Sequence, residues 1–183
     1  MKLYLAKPDL MYFDQYNEMM TEWTASNTRI APWFLDTPIA TLEDFAKFIR
    51  MLDDAEHGIV DKRFSATSSY FVVDENDHLV GASSFRPYLT VDSFNSWGHI
   101  GYGIRPSERL KGYATQTLKL MLQEAKQHHL RKVLLGVYES NIGSWKTVEK
   151  CGGILENRSR LPGETEDIRR YWIKIEDIGL KFL

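Results

Sequence analysis

The stretch from residue 97 to residue 138 restricts the possible folds of this chain more than any other. The run "WGHIGYGIRP", 97–106, reads as a strand that stops at Arg105-Pro106, because proline has no N–H for a ladder and holds the residue before it extended. A basic turn follows, Arg109-Leu110-Lys111-Gly112. Ala114, Leu118, Met121, Leu122 and Ala125 then recur at helical spacing and predict an amphipathic helix ending near His129. "KVLLGVY", 132–138, reads as a buried strand. Strand, helix and strand in that order predict a parallel strand pair joined by a right-handed crossover. The glycines at 98, 101 and 103 are unusual inside a strand and predict a bulge or a close approach by another group.

The flanking segments extend this unit into an α/β (α+β) fold. "KLYLA", 2–6, predicts a first strand, and Phe13, Tyr16, Met20 and Trp23 predict a helix after Pro8-Asp9. Residues 28–38 contain two prolines and read as a loop. Thr41 and Asp44 form a capping-box pattern for a second helix, with Leu42, Phe45, Ala46, Ile49 and Leu52 as its buried stripe. Two β-rich runs near 68–73 and 79–88 flank Asp74-Glu75-Asn76-Asp77 and predict a hairpin. Asn141 is placed to cap a short helix with Trp145 and Val148 on its inner face, ended by Gly152-Gly153. "GILENRSR" and "IRRYWIKI" predict two final strands. The hairpins imply a mixed, mostly antiparallel sheet, and the length of 183 residues fits a single domain over 1–183.

Composition excludes several classes. A net charge of −2 without a basic tail gives no reason to expect a nucleic-acid partner. The one cysteine, Cys151, rules out an intrachain disulfide and suits a cytoplasmic protein. No run approaches the ~18 apolar residues of a membrane span. No metal is expected.

The turn at 109–114 carries chemistry. A helix leaves its first amide hydrogens unpaired and bears partial positive charge at that end. A phosphate placed there gains several hydrogen bonds, a glycine lets the backbone approach it, and Arg109 and Lys111 add charge. Neither nucleotide alternative fits. Gly101-x-Gly103 lies within the strand without a third glycine, and Gly112 is not followed by Lys-Ser or Lys-Thr.

Arg109-x-x-Gly112-x-Ala114 resembles the pyrophosphate signature of the GNAT superfamily of acyl-CoA-dependent N-acetyltransferases. "NIGSWKTVEKCGG", from Asn141, resembles the second motif of that family. The resemblance covers roughly 95–160 and extends to "RRYWI". It implies a splayed parallel strand pair that receives the pantetheine arm, with Ile104 at the pairing site. It also implies that Arg109, Leu110, Lys111, Gly112, Tyr113, Ala114 and Thr115 cradle the pyrophosphate, and that Asn141 and Ser144 face the cofactor. The strand glycines would then leave room for a ligand backbone. Acetyl-CoA is the implied co-substrate, and a primary amine of a small molecule or peptide is the implied acceptor. A homodimer is possible by the same analogy. A non-catalytic acyl-CoA-binding or sensing domain is the alternative.

Acetyl transfer needs a neutral amine, a polarised carbonyl and a proton for the departing thiolate. The tyrosine that many such enzymes place seven residues after the asparagine is Val148 here. Tyr138 and Tyr102 are the nearby phenols. His99 and Glu139 are the candidate bases, although strand alternation turns His99 away from a site faced by 100, 102 and 104 unless a bulge resets the register. Cys151, near a helix C-terminus, reads as a packing residue. Trp33, Phe34 and Asp36 either cover an acceptor pocket or close the core.

Overall fold

A computed structural model describes residues 2–59 and 65–175; the expected single domain over 1–183 also includes residue 1, 60–64 and 176–183, which lie outside that description. The strands are β1 (Leu3–Ala6), β2 (Ser68–Asp74), β3 (Leu79–Phe85), β4 (Ile100–Ile104), β5 (Lys132–Tyr138), β6 (Ile154–Ser159) and β7 (Ile168–Lys174). The helices are α1 (Phe13–Ala25), α2 (Leu42–Glu56), α3 (Val91–Asn95), α4 (Tyr113–Gln127) and α5 (Ile142–Lys150). The predicted order is observed, with α3 added. That five-residue helix, capped by Thr90, is too short to show a periodicity.

The strands form two sheets, ordered β1-β2-β3-β4 and β5-β7-β6. Every ladder in them is antiparallel. This corrects the expected parallel pairing of β4 with β5. The two strands are splayed, and among the described residues they meet at one isolated bridge, Gly98 to Leu135, with antiparallel hydrogen bonding. Its bonds run from the His99 N–H to the Leu134 carbonyl at 2.7 Å and from the Gly136 N–H to the Trp97 carbonyl at 3.0 Å.

β2 and β3 are buried along their whole length because helices cover both faces. Alternation divides their side chains. Phe71, Val73, Leu79 and Ala82 pack with Tyr16, Met19, Trp23, Phe45 and Phe48 of α1 and α2. Tyr70 and Phe85 face the other way, toward Leu118, Met121 and Leu122 of α4 and the β5–β7 pair. Two expected stripes are rotated. α1 buries Met19 rather than Met20, and α2 buries Phe45, Phe48, Leu52 and Ala55 while Leu42 is exposed. The aromatic contacts explain the second shift: Phe48 lies 5.8 Å from Phe45, 5.6 Å from Tyr16 and 6.1 Å from Phe34, and these rings bury more area than Ala46 and Ile49 would. The Thr41–Asp44 capping box forms as expected.

The strand glycines are explained by the chain itself. A Cβ at Gly103 would lie 2.0 Å from the Ala31 carbonyl oxygen, and one at Gly98 would lie 2.1 Å from the Leu134 carbonyl oxygen. At Gly101 it would meet the Ser84 hydroxyl at 2.9 Å and Pro32 at 3.3 Å. The close partners are therefore the 28–38 loop, β5 and, at Gly101, Ser84 of β3, which corrects the expectation that these glycines make room for a ligand. Gly103→Ala is expected to cost about 3 kcal/mol, because the neighbour that must yield is backbone. Gly143→Ala, which meets nothing within 4 Å on α5, should instead stabilise by about 0.5–1 kcal/mol. Urea melts of the two variants against the parent check the opposite signs.

Candidate functional site

The splay leaves one edge of β4 open. The Arg86 N–H donates to the His99 carbonyl and the Arg105 N–H to the Val80 carbonyl, at 2.8 and 2.9 Å. In an antiparallel ladder alternate residues bond to the same neighbour, so Gly101 and Gly103 direct their backbone groups at β3. Tyr102 and Ile104 direct theirs at the gap. A cleft of about 560 Å³ follows this edge. It begins at the N-terminus of α4 and runs along β4 to the ends of β5 and α5.

At the α4 end the backbone is arranged for an anion. Gly112 is the N-cap at φ 82°, has no side chain to cap the helix, and faces open space. The first turn's amide hydrogens lack intrahelical partners. Leu110, two residues before Gly112, also has left-handed φ, 63°. Leu110 is fully exposed, which leaves that backbone uncovered. Gly112, Tyr113, Ala114 and Thr115 line the cleft; the Tyr113 side chain is buried beneath it against Leu3, Val72 and Ile104.

The two basic side chains behave differently. Arg109 lines the cleft but turns inward, donating from Nε to the Ile104 carbonyl at 3.1 Å and from Nη2 to the Thr28 hydroxyl at 3.0 Å. Its guanidinium lies 5.6 Å from the Trp23 ring. Lys111 is absent from the lining, and its ammonium pairs with Glu108 at 2.9 Å.

At the other end Asn141 caps α5, its Oδ1 accepting the Ser144 N–H at 3.1 Å. Ser144 and Tyr102 form a hydroxyl pair facing the cleft. The Ser144 Oγ donates to the Tyr102 hydroxyl at 3.0 Å, and Tyr102 donates to the Ser144 carbonyl at 3.2 Å. Burial holds the Tyr102 phenol well above its ordinary pKa, so it remains protonated. Val148 is wholly buried in the core, so β4 rather than α5 brings a phenol to this place. The alternation that puts Tyr102 opposite the glycines was available in the sequence; the position of its hydroxyl beside α5 was not.

Of the other expected catalytic residues, Tyr138 lines the cleft with Tyr102, whereas His99 and Glu139 do not. Its hydroxyl donates to Glu164 at 2.9 Å, and burial followed by this carboxylate pushes its pKa up to about 12. Glu139 is held by Arg169 and by Arg158 at 3.0 Å, which lower its pKa, the Arg169 contact most. His99 is buried between the sheets, its Nδ1 accepting the Leu134 N–H at 2.9 Å and its ring 6.4 Å from Trp172. Gly98 at φ 73° turns the chain just before His99, whose carbonyl accepts the Arg86 N–H in register with β3 while its own N–H reaches the Leu134 carbonyl of β5. In the 28–38 loop, Phe34 closes the core, whereas Thr28, Arg29 and Ala31 line the cleft, together with Trp23. Nothing in the pattern of a proline-containing loop marked those three.

A profile of the Acetyltransferase (GNAT) family matches residues 18–153. The chain belongs to the GNAT acetyltransferase family. Comparison with curated proteins finds no match. Among solved structures, the microcin C7 self-immunity acetyltransferase MccE, in complex with acetyl-CoA and AMP, is 20% identical with a TM-score of 0.66, covering 94% of this chain and 92% of its own. RimL, the ribosomal L7/L12 α-N-protein acetyltransferase, in complex with coenzyme A, is 18% identical with a TM-score of 0.68, covering 96% and 95%. A dodecameric spermidine N-acetyltransferase from Vibrio cholerae is 17% identical with a TM-score of 0.63, covering 98% and 97%. They share the GNAT fold, antiparallel sheets flanked by helices. Among the described residues no helix is long and apolar enough to cross a membrane, and no group of three or more His, Cys, Asp or Glu side chains could hold a metal ion.

The His99 environment has a measurable consequence. Burial draws the imidazole pKa down to about 4 from an ordinary 6.5. Below pH 6.5 the unfolded chain therefore takes up a proton that the folded chain refuses, and stability falls as pH drops from about 6.5 toward about 4. His99→Asn, whose side-chain oxygen can still accept the Leu134 N–H, should lessen the stability difference between urea melts at pH 7.5 and pH 5.5.

Proposed function

We infer that this GNAT-family protein is an acetyl-CoA-dependent N-acetyltransferase acting on a primary amine by direct attack in a ternary complex. One observation carries the reading: a single cleft joins the glycine-capped N-terminus of α4, the open edge of β4 and the Tyr102–Ser144 hydroxyl pair. When bound, acetyl-CoA supplies a thioester whose acetyl carbon accepts the amine and whose sulfur leaves as a thiolate in need of a proton.

The residues present fit that co-substrate. The glycine-capped N-terminus of α4 suits a pyrophosphate, and the space above Gly112 is what a Cβ would begin to fill. The Tyr102 backbone groups and the Ile104 N–H on the open edge suit an arm that pairs like a strand, the Ile104 carbonyl being held by Arg109. Arg109 acts by tying Ile104 to Thr28, which keeps the edge and the loop in register, rather than by reaching outward. Tyr102 holds the proton for the thiolate, and Ser144 orients it. The ion-paired Glu139 and the buried His99 serve structure in this reading, and the amine loses its proton to solvent before attack.

Two expected outcomes test it. Acetyl-CoA should raise the melting temperature of the protein, and Gly112→Glu, which puts bulk and negative charge in the cradle, should fold but lose that shift. Tyr102→Phe should retain the shift while kcat for CoA release with an amine panel falls about 10²-fold. A purely binding domain would show the shift and release no CoA from any amine.

A further inference from the structure

The end of the cleft at Tyr138 holds a cation already, and it belongs to the chain. Arg29, from the loop between α1 and α2, lays its guanidinium over the Tyr138 ring at 3.4 Å. Its Nη1 is 3.7 Å from Glu164 Oε2 and its Nη2 is 3.7 Å from Glu166 Oε1. Those separations exceed a hydrogen bond, and the Arg29 side chain is 54% exposed, so the ion pairs are loose. The two carboxylates are fixed by other groups. Glu164 accepts the Tyr138 hydroxyl at 2.9 Å, and Glu166 accepts the Ser140 N–H at 2.9 Å. The aromatic face and the two carboxylates therefore keep their places when the guanidinium leaves. The Arg29 backbone is tethered separately, its carbonyl accepting the Trp23 indole N–H at 3.1 Å, so the side chain can swing out while the loop stays.

We propose that Tyr138, Glu164 and Glu166 form the recognition site for a cationic group on the acceptor, and that Arg29 occupies this site until the acceptor displaces it. The inference rests on the acetyltransferase reading and adds a substrate class: amines carrying a second cationic group, such as a diamine. One face of an aromatic ring with two flanking carboxylates is chemistry that selects ammonium or guanidinium over neutral groups. After displacement the site holds two negative charges and no resident cation, so a monoamine leaves it unfilled.

The test compares diamines of four to eight carbons with the monoamine of equal length, and reads the ratio of kcat/KM for each pair. In the parent protein at least one diamine should exceed its monoamine. Glu164→Gln with Glu166→Gln should lower that ratio about ten-fold, the combined effect of weakened cation contacts. Arg29→Gln, which removes the competing charge but keeps a long polar side chain, should lower the diamine KM and raise the ratio. Melting curves with and without acetyl-CoA establish that each variant is folded and binds the co-substrate. If acetyl transfer proceeds but the ratio is the same in parent and variants, or Arg29→Gln raises the diamine KM, the recognition site is wrong while the enzyme reading stands. If acetyl-CoA neither shifts the parent's melt nor releases CoA with any amine, the enzyme reading fails first and this inference falls with it.

Discussion

Most of the architecture around the cleft depends on hydrogen bonds that β4 and β5 do not make. Each strand is bonded on one side, β4 to β3 and β5 to β7, and beyond Gly98–Leu135 they part. An edge strand is normally a liability, a row of unpaired donors and acceptors open to the wrong partner. Here the edge is recessed, with α4, α5 and the 28–38 loop around it. The divergence is forced where the strands cross. Gly98 and Gly136 each bring the opposing backbone closer than any Cβ would permit, and that contact fixes the pivot from which the strands diverge.

The sequence displays the elements of this arrangement better than their relations. The amphipathic helix α4, the turn at Gly112 and the Asn141 cap are local facts, written in spacing and in residue types with one dominant use, and they appear at the expected positions. The expected crossover pair failed as a ladder because strand pairing is not local. Strand order puts β7 beside β5, and β7 comes 30 residues later than β5 ends, as Ile168 follows Tyr138. The glycines were read as unusual, but what approached them could not be read, since Ala31 lies far from Gly103 in the chain.

The site shows the same division. Gly112, Ala114, Thr115, Asn141 and Ser144 were legible because the features they contribute are backbone or cap features. Arg109 was legible as a charge but not as a direction: it bonds inward to Ile104 and Thr28. Arg29 and Thr28 carried no signal, being a common cation and a common hydroxyl in an irregular loop. Tyr102 was visible as a phenol in the right strand, and only the fold brings it to Ser144.

The order β5-β7-β6 also bears on how the chain matures as it is made. The first sheet draws on strands from Leu3 to Ile104 and pairs each with its neighbour in sequence, so it can assemble while later residues are still being added. The second sheet cannot. Its central strand is β7, synthesised last of the three, and until Ile168–Lys174 emerges neither β5 nor β6 has its ladder partner. One wall of the cleft can therefore form before the other, and a nascent chain presents the open β4 edge without the second sheet from Ile104 until Ile168 is added. A ribosome that pauses between Tyr138 and Ile168 would hold the protein at its most adhesive stage.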